Sequence, residues 1–194
     1  MASAIFPVGE APVAAAPVGA APVGAAPVGE APVGAAHGRD VARQLPVRDK
    51  VLLVGTPAAL AAAFGTLAPN AVRNMPGQGL LLWLRPEQWL LLGGRPVTGG
   101  EVAVLEAGAR FVEFGLAGAR AADLLAAGCS IDFRERAFAP GRCAQSRIEQ
   151  VPVILYREAL DRFTVIVERP LARYLGRWLG HSAALQGDGG GEIA

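Results

Sequence analysis

Leu80-Leu81-Leu82-Trp83-Leu84-Arg85-Pro86-Glu87-Gln88-Trp89-Leu90-Leu91-Leu92 is the stretch on which the fold turns. It is two short apolar runs around a polar turn, with proline setting φ in the turn. Each run is too short for a helix, and together they read as a β-hairpin with a tryptophan near each end. Because the runs are apolar throughout rather than alternating, burial on both faces is expected.

Upstream, Val51-Leu52-Leu53-Val54 reads as a buried strand. Thr56-Pro57 then opens a helix, with Thr56 as N-cap and Pro57 in the first turn, where its missing donor is harmless. Leu60, Ala63, Phe64 and Leu67 continue it at helical spacing. Downstream, Val102–Leu105 and Arg110–Leu116 give two further strands. In the second, Phe111, Glu113 and Gly115 alternate with Val112, Phe114 and Leu116, so either face can be the buried one. Ala117–Ala127 is expected to be a helix with Leu124 and Leu125 inward and Gly128 as its C-terminal cap. Ser146–Tyr156, broken by Pro152, and Arg162–Val167 read as a second sheet pair. Pro170 starts the last helix, with Leu171, Tyr174, Leu175, Trp178 and Leu179 on its core stripe and Arg173 and Arg177 facing away. Consecutive strands joined by short turns favour an α+β fold with largely antiparallel sheets and about three helices.

The ends differ from this middle. From Pro7 to Ala36 a Pro-Val-Gly-Ala/Glu-Ala unit recurs every five residues, with Pro7, Pro12, Pro17, Pro22, Pro27 and Pro32 in phase. Proline at this spacing blocks a helix and the side chains are too small for a core, so a mobile, partly polyproline-like tail is expected over residues 1–40. The folded unit is expected over 41–180, with a flexible glycine-rich C-terminal tail over 181–194. Both histidines, His37 and His181, then fall at its edges.

Lys and Arg number 18 against 17 Asp and Glu, and Lys50 is the sole lysine. Such balance lacks the basic stripe of a nucleic-acid binder, so no nucleic-acid partner is expected. No apolar run approaches the ~18 residues of a membrane span, and no secretory signal is visible. A cytoplasmic chain is therefore expected, with Cys129 and Cys143 as two buried thiols, although sequence alone leaves a disulfide between them open.

The sequence holds no recognisable catalytic constellation. The glycine-rich stretch 93–100 has the wrong spacing for a dinucleotide site and leads into a strand, not a helix. Ser130, Ser146, Cys129 and Cys143 have no imidazole partner within 41–180 to activate them. Two cysteines do not make a zinc site. Glu106 and Glu113 flank a turn and could face each other across a hairpin, an arrangement that can split two carboxylate pKa values; the plainer reading is exposed charge.

Three segments in order carry a resemblance. They are Leu81–Leu92 with its two tryptophans, Ala121–Asp132 containing Cys129, and Phe138-Ala139-Pro140-Gly141-Arg142-Cys143-Ala144-Gln145-Ser146 leading to Arg169–Leu179. Together they resemble the gamma subunit of heterotetrameric sarcosine oxidase, over about Val51 to Leu179. The sequence departs from that pattern at Arg85-Pro86-Glu87-Gln88, where Gly-Pro-Asp-Glu is usual, and at Glu106, where aspartate is common; the repeat tail is foreign to it. The resemblance implies a fold like the folate-binding domain of aminomethyltransferases. It also implies a small non-catalytic subunit beside alpha, beta and delta chains in a complex that oxidises sarcosine to glycine with hydrogen peroxide and 5,10-methylenetetrahydrofolate as further products. FAD, FMN, NAD and tetrahydrofolate are then expected in partner subunits, with no cofactor, metal or catalytic residue in this chain. The equivalent subunit of an N-methylglutamate dehydrogenase-type complex, or a stand-alone folate-binding one-carbon protein using Glu106, Glu113 or Asp132 as its acid, are the alternatives. Trp83, Trp89, Arg142 and Trp178 are candidates for a subunit interface by residue type, since aromatics and arginine are enriched there.

Overall fold

The structure, a computed structural model, describes residues 42–96 and 100–187. The leucine hairpin forms as expected. Strands β4 (Gly79–Arg85) and β5 (Gln88–Leu92) pair antiparallel with Leu81 opposite Leu91, Leu82 opposite Leu90 and Trp83 opposite Trp89. They lie inside a five-stranded sheet of order β3-β4-β5-β2-β6, where β2 is Lys50–Val54, β3 Val72–Met75 and β6 Ala103–Glu106. A second five-stranded antiparallel sheet has the order β1-β7-β10-β9-β8. Its strands are β1 Ala42–Gln44, β7 Phe111–Ala117, β8 Cys143–Ile148, β9 Val151–Ala159 and β10 Arg162–Glu168. The helices are α1 (Pro57–Phe64), α2 (Ala121–Ala126) and α3 (Arg169–Gly187).

The alternation of side chains along each strand sorts these elements into four layers. Leu52, Leu82, Leu84, Leu90 and Leu92 face the other sheet, meeting Phe111, Ile154, Tyr156 and Ile166. On the opposite face of the hairpin sheet, Val51, Leu53, Leu81, Trp89 and Leu91 pack under Leu60 and Phe64 of α1. The hairpin's unbroken leucine run follows from this double burial, and each fully buried leucine contributes roughly 1.5–3 kcal/mol. The outer face of the second sheet sets Val112, Phe114, Leu116, Phe163, Val165 and Val167 against Leu124 and Leu125 of α2 and Leu175 and Leu179 of α3.

At one corner the two sheets are tied together by backbone. Ala71 bridges Arg142, the Val72 amide donates to Gly141 and the Cys143 amide donates to Asn70 at 2.9 Å. The Cys143 thiol points into the same corner and donates to the Trp83 carbonyl at 3.1 Å. Both cysteines are buried and free.

Local signals account for most element ends. Thr56 Oγ1 accepts the Ala59 amide as an N-cap, with Pro57 in the first turn. The other end of α1 is closed from outside: the Arg73 guanidinium, on β3, donates to the carbonyls of Phe64, Gly65 and Thr66. The pair Gly93-Gly94 is a close approach of backbones. A Cβ on Gly94 would lie 1.7 Å from the Gln78 carbonyl oxygen.

Several expectations are corrected. The helix expected over Ala117–Ala127 is shorter, because β7 runs on through Ala117, paired with Arg162, and α2 begins only at Ala121. Gly128 is no left-handed cap; the capping residue is Ala127, and Gly128 leaves room for Trp178, whose ring would sit 2.5 Å from a Cβ there. Ser146–Tyr156 is two strands, reversed at Glu149, which takes positive φ. Pro152 sits in β9 just beyond its last pair with β10, Val153 with Val167, so its missing amide removes no bond on that side. The last helix does not stop before His181 but continues to Gly187, so His181 is an exposed helical residue rather than part of a tail. The proline repeat lies outside the described residues, as do 188–194.

Candidate functional site

The Glu106–Glu113 carboxylate pair that the sequence allowed does not form, and the plainer reading of exposed charge holds for Glu106 but not for Glu113. Glu106 ends β6 and is exposed, beside Arg95 at 3.7 Å. Glu113 sits in the middle of β7, in the other sheet, and is 2 % exposed. Alternation along β7 turns Glu113 to the inter-sheet side with Phe111, while Val112 and Phe114 face the helices. A carboxylate there must be paired. Lys50, at the start of β2 and 1 % exposed, reaches it from the facing sheet, Nζ to Oε1 2.9 Å. Arg48 closes the other side, its Nε donating to both carboxylate oxygens at 3.0 Å. The same guanidinium donates to the Tyr156 hydroxyl of β9 at 2.8 Å.

The cluster therefore pins β2 to β7 and β9 across the sandwich, with two cations to one carboxylate. Burial opposes the charge on Arg48, but its hydrogen bonds to Glu113 and Tyr156 and the Glu113 carboxylate charge hold its pKa above the ordinary arginine value. Burial pushes the Tyr156 hydroxyl up to about 12 and the Cys143 thiol up to about 12. A second buried cation, Arg157, has no ion-pair partner among the described residues. Its guanidinium donates to the carbonyls of Phe133, Phe138, Ala159 and Leu160 and stacks 4.9 Å from the Phe163 ring. That geometry fixes the 133–138 loop rather than offering a proton-transfer group. Asp132 lies on the surface with its carboxyl held down to about 2 by hydrogen bonds from Arg134. It borders a concavity of about 250 Å³ with Asp123, Ile131 and Phe133.

The four candidate interface residues are dispersed. Arg142 is exposed, Trp83 and Trp178 are half-buried, and Trp89 is 3 % exposed beneath α1. Trp83 and Trp89 share a second concavity, of about 260 Å³, with Pro57, Leu67, Pro69 and Pro86. Trp178 belongs to α3, where the expected core stripe proves only half right: Leu175 and Leu179 are buried, but Leu171 is 36 % and Tyr174 53 % exposed. With Leu185, also exposed, Leu171, Tyr174 and Trp178 fall within an arc of about 60° on the helix. They form an apolar ridge beside the buried face.

Nothing in the sequence singles out Arg48 or Tyr156, and Glu113 reads there as one more exposed charge. The signal available was chemical: an acid inside Phe-Val-Glu-Phe-Gly-Leu has to meet a cation if its face is the covered one. Among the described residues, no group of three or more His, Cys, Asp or Glu side chains could hold a metal ion. No helix among them is long and apolar enough to cross a membrane.

Two antiparallel sheets with three helices define an α+β domain whose solved counterparts include the glycine cleavage system aminomethyltransferase T from Bartonella henselae. That likeness has TM-score 0.52 and 18 % identity, over 75 % of this chain and 47 % of that one. A nearer likeness is a chain of the heterotetrameric sarcosine oxidase from Corynebacterium sp. U-96, with TM-score 0.69 and 23 % identity over 79 % of this chain and 87 % of that one. The fold and its likeness to aminomethyltransferases are those expected from the sequence. No family model matches the chain. In sequence it is 30 % identical over 140 residues to the sarcosine oxidase gamma subunits of an Arthrobacter species and of Corynebacterium sp. strain U-96. The match covers 63 % of this chain and 66 % of each relative's length, just under two thirds. This chain is similar in sequence to sarcosine oxidase gamma subunits and in fold to a chain of a heterotetrameric sarcosine oxidase.

Proposed function

We propose that this chain is the gamma-type subunit of a heterotetrameric sarcosine oxidase-like complex and has no catalytic activity by itself. The observation that carries this reading is the 140-residue likeness to gamma subunits. The buried charges fit it, since Glu113, Lys50 and Arg157 are engaged within the fold rather than turned toward a cleft. In this reading alpha, beta and delta chains carry the FAD, FMN, NAD and tetrahydrofolate chemistry, and the complex converts sarcosine to glycine. The contact surface includes the apolar ridge of α3, through Leu171, Tyr174 and Trp178, with Arg142 as a further candidate contact. An exposed aromatic ridge beside arginines such as Arg173 and Arg177 has the composition of an interface centre.

Co-expression with the three partner chains tests this. The tagged chain is expected to bring all three with it and to support sarcosine-dependent hydrogen peroxide formation, while the purified chain alone forms none. Tyr174→Asp is expected to reduce co-purification at least about tenfold without changing the chain's own melting temperature, as expected when a charge enters the centre of an interface. Oxidation of N-methylglutamate in place of sarcosine would move the assignment to the related dehydrogenase complex. Tight folate binding by the isolated chain in a calorimetric titration would replace the subunit reading with a one-carbon carrier.

A further inference from the structure

We propose that the groove between α1 and the tip of the β4–β5 hairpin binds the chain's own amino-terminal repeat, residues 7–36, as an intramolecular proline-rich ligand. The groove lies on the outer face of the hairpin sheet, across the sandwich from the α3 ridge. Its walls are Pro57 of α1, Leu67 and Pro69 of the following loop, and Trp83, Pro86 and Trp89 of the hairpin. None of its lining residues is charged.

Its floor carries an unexplained donor. Trp89 is 3 % exposed, and its indole Nε1 is buried without a hydrogen-bond partner. A buried indole N–H ordinarily has an acceptor, and leaving one unmet costs roughly 1–3 kcal/mol. An uncharged ligand whose carbonyl reaches Nε1 as the indole shifts on binding would meet this donor.

The repeat has that chemistry. A segment in polyproline II conformation makes no internal hydrogen bonds, so its carbonyls are free to accept. Proline rings packed on indoles, with an indole N–H to a ligand carbonyl, are what aromatic-lined grooves offer such segments. Between Pro7 and Ala36 the only charged side chains are Glu10 and Glu30, which matches the uncharged walls.

Reach and local concentration are also sufficient. Thirty residues in this conformation span ~90 Å at ~3.1 Å each. A domain of this size has a radius of gyration of only ~15 Å, so the segment reaches any face from Ala42. A short tether holds the ligand at an effective concentration on the order of millimolar. The Pro-Val step occurs six times in phase, so any of six units can fill one groove. A weak intrinsic affinity is enough under those conditions.

The test uses the full chain labelled with ¹⁵N at tryptophan, compared with the chain in which Pro7, Pro12, Pro17, Pro22, Pro27 and Pro32 are all changed to serine. The indole signals of Trp83 and Trp89 are expected to differ between the two, while that of Trp178, on the far face, stays in place and reports an intact fold. Adding a synthetic Ala-Pro-Val-Gly-Ala-Ala-Pro-Val-Gly-Ala-Ala-Pro-Val-Gly peptide to the substituted chain is expected to restore the shifts, with half-saturation near millimolar. Identical indole signals in both chains, with no response to peptide, overturn the proposal. So does a shift that grows with protein concentration, which means a second copy, or one that appears only when partner subunits are added.

Discussion

At Glu113 one carboxylate answers two cations that come from different parts of the chain. Removing it leaves Lys50 and the inner part of Arg48 without a counter-charge between two sheets. Breaking such a pair from one side typically costs ~3–5 kcal/mol, while replacing both partners by apolar groups is often neutral. Glu113→Leu is therefore expected to lower unfolding free energy by about that amount in a urea titration. Lys50→Met combined with Glu113→Leu should recover a large part of the loss. If the double variant were as unstable as the single one, the pairing would not be the source of the cost.

The elements divide by whether their information is local. The hairpin and α1 were legible because leucine runs, Pro86 and the Thr56-Pro57 cap act within a few residues. Strands β1 and β3 were not, since three or four half-exposed residues at a sheet edge have no periodicity to read. The face that β7 buries depends on which sheet covers it, so Glu113 could be placed only by tertiary packing. The boundary of α3 was misread because Gly180 resembles a stop, although Ser182, Ala183, Ala184 and Leu185 carry the helix on. Two glycines on this helix now separate packing from propensity. A Cβ at Gly176 would lie 3.2 Å from the Phe114 ring, whereas one at Gly180 meets nothing within 4 Å. Gly180→Ala should stabilise the chain by up to about 1 kcal/mol through helix propensity alone. Gly176→Ala should gain less or lose stability, because Phe114 is itself buried and has to shift. Thermal unfolding of the two variants side by side checks the contrast; equal gains would mean that α3 is free to move off the sheet.

Across the whole molecule, the layer between the sheets holds two neutral acids that make its stability sensitive to alkali. The Cys143 thiol titrates near 9.0 when free and near 12 here, and the Tyr156 hydroxyl near 10.0 when free and near 12 here. Both folded values are raised, so the folded chain keeps protons that the unfolded chain has released. Their stabilisation is complete below about pH 9 and is lost as pH rises through 9 toward 12. Melting temperature is expected to fall across that window, and the fall should be shallower in a Cys143→Ala, Tyr156→Phe chain. An unchanged slope would show that other groups open the sandwich. The same architecture leaves two unlike surfaces on opposite faces, the α3 ridge and the groove under α1, so one face can meet a neighbouring subunit while the other is covered.

The buried lysine also has a consequence for labelling. Lys50 is the chain's sole lysine, and it is 1 % exposed with its ammonium held by Glu113. Amine-directed reagents, whether acylating dyes or bifunctional cross-linkers, will find no side-chain amine on the surface of the folded domain. Acylation of Lys50 becomes a clock for separation of the two sheets, read by mass from a single peptide.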